Sequence, residues 1–257
     1  MSTLNGGPGN IVTNGLILYL DAANYLSYTS GSTTWRDLSS NNLSGSLVNG
    51  PTFSSANGGS IMFDGVNDYV NLGNNPSLQF GTGSFTLNVW INLENTSSSD
   101  TILVKRQPVD PFNMVQIIIG TLFVEGNGFN INPSKKISFM LWNGGSNFPS
   151  PNGGFVATTT NDILDGNWKN ITLTRTSGSV VLYVNAISQS VSILYDFGTR
   201  TLANISVTGS NWAAGAVPEI PAAFISGSLS TIQMYNRALT AQEILQNYNA
   251  QKSRFGL

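Results

Sequence analysis

Asp64 and Asp68 are the residues of this chain whose type and spacing most invite a chemical role. They lie in Ser60-Ile61-Met62-Phe63-Asp64-Gly65-Val66-Asn67-Asp68-Tyr69-Val70-Asn71-Leu72, two carboxylates four positions apart around a glycine. Ca2+ takes about six to eight oxygens at a flexible site, and these carboxylates with Asn67 and backbone carbonyls would supply them. A second reading needs no metal: Asp64 closes an Asx turn and Asp68 accepts backbone N–H groups. That reading is preferred, with Asp64 and Asp68 kept as the candidate Ca2+ ligands and no other cofactor expected.

Aromatic rings beside amides form the second chemical grouping. Trp142-Asn143-Gly144-Gly145-Ser146-Asn147-Phe148 and Asn211-Trp212 combine flat apolar surfaces with hydrogen-bonding side chains. A glycan site needs that mixture, and so does a protein interface or a packed rim. Trp142, Asn143, Asn147, Phe148, Asn211 and Trp212 are therefore the expected glycan or partner contacts. Trp35 and Trp90 sit in strand-like contexts and are expected in the core.

Composition closes other routes. The chain has 257 residues, no Cys and no His, which removes disulfides, thiolate sites and imidazole acid–base chemistry. Charged residues make up only 9%, against about 25% in ordinary globular chains; Asn, Ser, Thr and Gly fill the polar positions instead. The net charge is −2 with eleven scattered basic residues, so nucleic-acid binding is not expected. No apolar run approaches the roughly 20 residues of a membrane-spanning helix. The first residues lack the basic start and apolar centre of a signal peptide.

These side chains must be positioned by strands. Residues 84–93 alternate cleanly: Phe85, Leu87, Val89, Ile91 and Leu93 on one face, Thr86, Asn88, Trp90 and Asn92 on the other. That pattern predicts a half-buried antiparallel strand. Further strands are expected over residues 16–21, 43–48, 102–105, 114–119, 122–125, 137–142, 168–175, 180–185 and 225–235, the last with a bulge at Gly227. The Asp64-Gly65 stretch reads as the turn of a hairpin. Asn-Gly pairs at Asn49, Asn57, Asn127, Asn143 and Asn152 favour the left-handed conformations of tight turns. Short strands and turns with almost no helical periodicity predict an all-β sandwich of two antiparallel sheets. The exception is Thr240-Ala241-Gln242-Glu243, a capping box flanked by Leu239 and Ile244 as a hydrophobic staple. It predicts one helix over 241–251 with Ile244, Leu245 and Tyr248 turned inward. Residues 1–14 read as a flexible N-terminal arm, and residues 15–257 as one domain ending in a tail.

The order of motifs resembles a known family. Gly15-Leu16-Ile17-Leu18-Tyr19-Leu20-Asp21-Ala22, Trp35-Arg36-Asp37-Leu38-Ser39, Phe63-Asp64-Gly65-Val66-Asn67-Asp68-Tyr69-Val70, Phe85-Thr86-Leu87-Asn88-Val89-Trp90, and Ile232-Gln233-Met234-Tyr235-Asn236-Arg237-Ala238-Leu239-Thr240 with Glu243-Ile244 follow one another. Together they resemble a laminin-G-like, concanavalin A-like lectin/glucanase jelly roll. The ending, Tyr248-Asn249-Ala250 and Arg254-Phe255-Gly256-Leu257, is similar to versions in structural proteins of tailed phages, cyanophages among them. The glucanase members carry a Glu-x-Asp-x-(x)-Glu strand motif, which this chain lacks. Glu94, Glu125, Glu219 and Glu243 have no acidic neighbour two positions away. No catalytic residue is assigned, and a non-enzymatic protein is expected. The resemblance implies a virion structural protein on the particle surface: a capsid decoration, fibre or tail-associated component. Its partners would be other capsid or tail proteins, further copies of itself as a homo-oligomer, and host surface glycans. It would be made in the host cytoplasm without a signal peptide. A stand-alone carbohydrate-binding, lectin-like module is the alternative.

Overall fold

The alternation over residues 84–93 does become a strand, and it lies next to the middle of one of two antiparallel sheets. The computed structural model describes residues 10–93, 100–107, 113–119, 122–124, 129–131, 135–142, 154–176, 179–196, 209–219 and 222–257. In chain order the strands are β1 (Leu16–Asp21), β2 (Thr34–Trp35), β3 (Gly45–Val48), β4 (Thr52–Ser54), β5 (Ser60–Asp64), β6 (Tyr69–Gly73), β7 (Phe85–Leu93), β8 (Asp100–Arg106), β9 (Met114–Ile119) and β10 (Leu122–Val124). They continue as β11 (Phe129–Ile131), β12 (Ile137–Trp142), β13 (Gly154–Thr159), β14 (Lys169–Arg175), β15 (Val180–Val184), β16 (Ile187–Ser188), β17 (Val191–Asp196), β18 (Trp212–Ala214) and β19 (Ser226–Tyr235). Helix α1 spans Ala241–Gln251.

The first sheet runs β16-β15-β14-β7-β19-β5-β4, with β1 also paired to β19. The second runs β17-β13-β12-β9-β8-β18-β6-β3-β2, and β10 and β11 form a separate ribbon. Phe85, Leu87, Val89, Ile91 and Leu93 point between the two main sheets and meet Phe139, Leu141, Val70 and Leu72 from the second in one continuous core. This is the expected sandwich, built on period-two burial.

The other face of β7 is not open to water. Thr86, Asn88 and Trp90 are buried as well, because α1 and the turn that follows it form a third layer over the first sheet. Trp90 stacks on Phe255 with ring centroids 4.1 Å apart and gives its Nε1–H to Gln251 Oε1 at 2.9 Å. Asn88 bonds Asn170 and Thr172 on β14. The half-buried strand expected from the sequence is thus buried on both faces.

The capping box forms as read: Thr240 Oγ1 accepts the Glu243 N–H, and the Glu243 carboxylate accepts the Thr240 N–H. The inward stripe differs. Ile244, Asn247, Ala250 and Gln251 are buried while Leu245 is exposed. Asn247 can be inside because both ends of its amide are bonded: the oxygen accepts from Val12 N–H and the nitrogen donates to Tyr235 Oη.

Four expectations are corrected. Asp64-Gly65 is not a hairpin turn; β5 belongs to the first sheet and β6 to the second, so the loop carries the chain from one layer to the other. The arm does not extend to residue 14: Val12 is buried against Tyr235, Leu239 and Ile244, and Asn10 accepts from Gln246. Residues 254–257 are not a projecting tail, since Arg254 pairs with Asp21 at 3.0 Å and Phe255 is buried. The register shift in β19 falls between Leu229 and Thr231. Gly227 has another function: at φ 147° its Cα approaches β7 so closely that a Cβ would lie 2.4 Å from the Asn92 carbonyl oxygen.

Candidate functional site

The sequence-predicted site residues that the structure describes do not come together. Asp64 Oδ1 accepts the N–H groups of Val66 (2.8 Å) and Asn67 (3.4 Å), and Asp68 Oδ2 accepts the Asp64 N–H at 3.2 Å. Burial raises the Asp68 carboxyl above its ordinary range, only partly opposed by that N–H. The pair acts as the peg of the inter-sheet loop, and among the described residues no group of three or more acidic side chains gathers to hold a metal. Trp142 lies on the outer face of the second sheet, buried with Ile118, Met140 and Val156. Asn143, Asn147 and Phe148 lie outside the described residues. Asn211 is exposed. Trp212 is 1% exposed, a core residue whose indole N–H is already given to the Leu78 carbonyl at 2.9 Å; it cannot offer a ring face to solvent.

Asn211 does, however, stand in a polar rim that the sequence reading missed. Its neighbour Trp212 is opposite Gly73 of β6 on one side and Lys105 of β8 on the other. Antiparallel pairing therefore places Asn211 beside the ends of both strands. Gly73, at φ 74°, lets β6 turn out into Asn74. Asn75 then caps the short turn Pro76–Leu78 through Oδ1 and the Ser77 N–H, at 2.9 Å. Leu78 drops into the core, and Phe80 packs between Phe85 (4.9 Å) and Trp212 (5.8 Å, edge-on). An aromatic wall thus underlies a surface of neutral amides.

Lys105 is the charged member of this rim. The residue is 1% exposed, and its Nζ donates to Asn74 Oδ1 at 2.7 Å; Gln79 Nε2 donates to the same oxygen at 2.6 Å. Burial lowers the ammonium to about 8, so it is still mostly protonated at neutral pH. No carboxylate pairs with it among the described residues. Ser210, next to Asn211, is buried with its Oγ unpartnered. The one trace of this in the sequence is a lone Lys closing the apolar run Ile102-Leu103-Val104.

Arrangement and topology define a jelly-roll β-sandwich with a neutral, amide-rich rim. Residues 64–245 match the laminin-G-like model of the concanavalin A-like lectin/glucanases superfamily, and the chain belongs to that superfamily. No curated protein sequence matches it. Among solved structures, Trypanosoma rangeli sialidase in complex with sialic acid is similar over 97% of this chain and 36% of that one, at 14% identity and TM-score 0.66. The binding domain of botulinum neurotoxin DC in complex with SialylT is similar over 93% of this chain and 52% of that one, at 13% identity and TM-score 0.64. The binding domain of paraclostridial mosquitocidal protein 1 is similar over 91% and 52%, at 16% and 0.60. The chain spans about a third of the sialidase chain and about half of the toxin binding domains. At these identities the likeness is one of fold.

Proposed function

We propose that this chain is a non-catalytic carbohydrate-binding module and that its ligand surface is the rim around Asn74 and Asn211. The observation that carries the reading is the rim itself: two exposed amides at the ends of adjoining strands, above an aromatic wall whose own polar edge is satisfied. Amides both donate and accept, which suits vicinal hydroxyls, and concave or rim sites with a few convergent polar groups are the usual places for small ligands. Membership of a lectin-containing superfamily and the likeness to toxin binding domains, one of them bound to SialylT, support it. The test is a glycan array with the full-length protein, followed by calorimetry. A saccharide should bind, and Asn211→Ala should weaken it at least tenfold while leaving the melting temperature unchanged. A ligand found on the array whose affinity ignores Asn211→Ala would move the site elsewhere.

The virion surface is the setting we propose for such a module, with host glycans as targets and capsid or tail proteins as neighbours. The setting is tested by looking for the protein in purified particles.

A further inference from the structure

We infer that the rim selects acidic saccharides, with Lys105 Nζ as counter-ion to a sugar carboxylate; this rests on the carbohydrate-binding reading above. An ammonium taken out of water is costly unless a partner replaces its hydration. Among the described residues Lys105 has one hydrogen-bond partner, the neutral oxygen of Asn74, although an ammonium carries three donors. Asn74 is exposed, so the amide that accepts from the ammonium lies at the surface. The surroundings reinforce the imbalance. Across the Phe80–Phe85 stack, Arg175 is fully buried with its Cζ 5.7 Å from the Phe85 ring centroid. Among the described residues its guanidinium makes one hydrogen bond, to the Gly81 carbonyl at 3.3 Å, while Nε and Nη1 have no partner. Two cations with no acid beside them among the described residues therefore flank one aromatic wall, in a chain with few charges of either sign. A carboxylate that displaces the Asn74 amide would meet Lys105 directly. In a partly desolvated site that contact is stronger than the same pair in water. Gln79, bonded to the same Asn74 oxygen, lies beside it for a neighbouring hydroxyl, and Asn211 stands on the adjoining strand end.

The experiment compares 3′-sialyllactose, a hyaluronan tetrasaccharide and lactose by calorimetry on the full-length protein. At least one acidic probe should bind more than tenfold tighter than lactose, and which one does so tells a sialic acid from a uronic acid. Lys105→Met should abolish that preference without changing lactose binding, Lys105→Arg should keep part of it, and Asn74→Ala should enlarge it by uncapping the ammonium. Melting curves of the variants check folding. Equal affinity for lactose and both acids, or an acid preference that survives Lys105→Met in a folded protein, overturns the acidic assignment and leaves the module reading intact. Failure of every saccharide, on the array and here, removes both.

Discussion

Phe255→Ala tests whether the last residues of the chain are part of the fold. The Phe255 ring is 8% exposed and sits over Trp90 at 4.1 Å and Trp168 at 4.6 Å, with the Arg254 guanidinium 5.2 Å from its centroid. Truncating a buried Phe to Ala usually costs about 3–5 kcal/mol. The lower end applies here, because the turn lies at the edge of the molecule and can settle into the space. About 3 kcal/mol corresponds to roughly 6–12 °C in Tm for a chain of this size. The assay is a thermal melt followed by tryptophan fluorescence, which also reports Trp90 and Trp168 directly. Leu257→Ala is the control, since Leu257 is 45% exposed and should melt with the parent. A Phe255→Ala protein melting within about 1 °C of the parent would mean that the tail does not rest on Trp90 in solution, and the third layer would lose its outer half.

Gly227→Ala should destabilise by about 3 kcal/mol or more, from left-handed strain and overpacking together; its Cβ would lie 2.4 Å from Asn92 O and 2.5 Å from Leu93 Cδ2. Urea unfolding measures this, and an unchanged midpoint would contradict the close approach of β19 to β7. Glu243, bonded first to Arg237 and then to the Thr240 N–H, titrates at about 2, below its unfolded value. Its stabilisation is complete above about pH 4.3 and fades as pH falls toward 2, so the Tm gap between parent and Glu243→Gln should close over that interval; a gap constant with pH would deny the pairing. Lys105 is shifted in the same direction, but here it is the form charged at neutral pH that the fold disfavours. With the folded value near 8 and the unfolded value near 10.4, the folded state binds fewer protons between them, so the parent gains stability as pH rises through that window. Lys105→Met should therefore melt higher than the parent at pH 7 and lose that advantage by about pH 10.5; a lower Tm at pH 7 would show that the ammonium is better solvated than its burial implies.

The elements themselves were legible because their signals are local. Alternation in residues 84–93 and the Thr240/Glu243 box each specify a structure without reference to the rest of the chain. What was not legible depends on distant residues. Trp90 is buried as expected, but Thr86 and Asn88 beside it look like a solvent face until a helix from later in the chain covers them, and Asn247 and Gln251 look like surface amides until their partners on β1, β7 and β19 are in place. Asp64-Gly65 has the chemistry of a tight turn whether its flanking strands join one sheet or two; the choice belongs to β4, β19, β3 and β18. The candidate rim fails for the same reason. Asn74, Lys105 and Asn211 are far apart in sequence, and β18 alone brings them together. Trp212 was read as a surface ring because Asn and Trp side by side resemble a binding loop, but the strand turns one outward and the other inward.

The pairing of β19 also dictates when this protein can finish folding. One edge of β19 holds β7, and the other holds β5 and then β1; Leu16 faces Tyr235 and Asp21 faces Thr231. Among the described strands β1 pairs with no other. On the ribosome it emerges long before β19, with most strands of both sheets translated in between. At roughly 5–20 residues per second that interval is on the order of 10–40 s. Throughout it, an apolar strand with unpaired edges is exposed to neighbouring nascent chains. A transcript cut short anywhere before residue 226 would yield a polypeptide whose first sheet lacks its central member, prone to aggregate however much of the second sheet it had assembled.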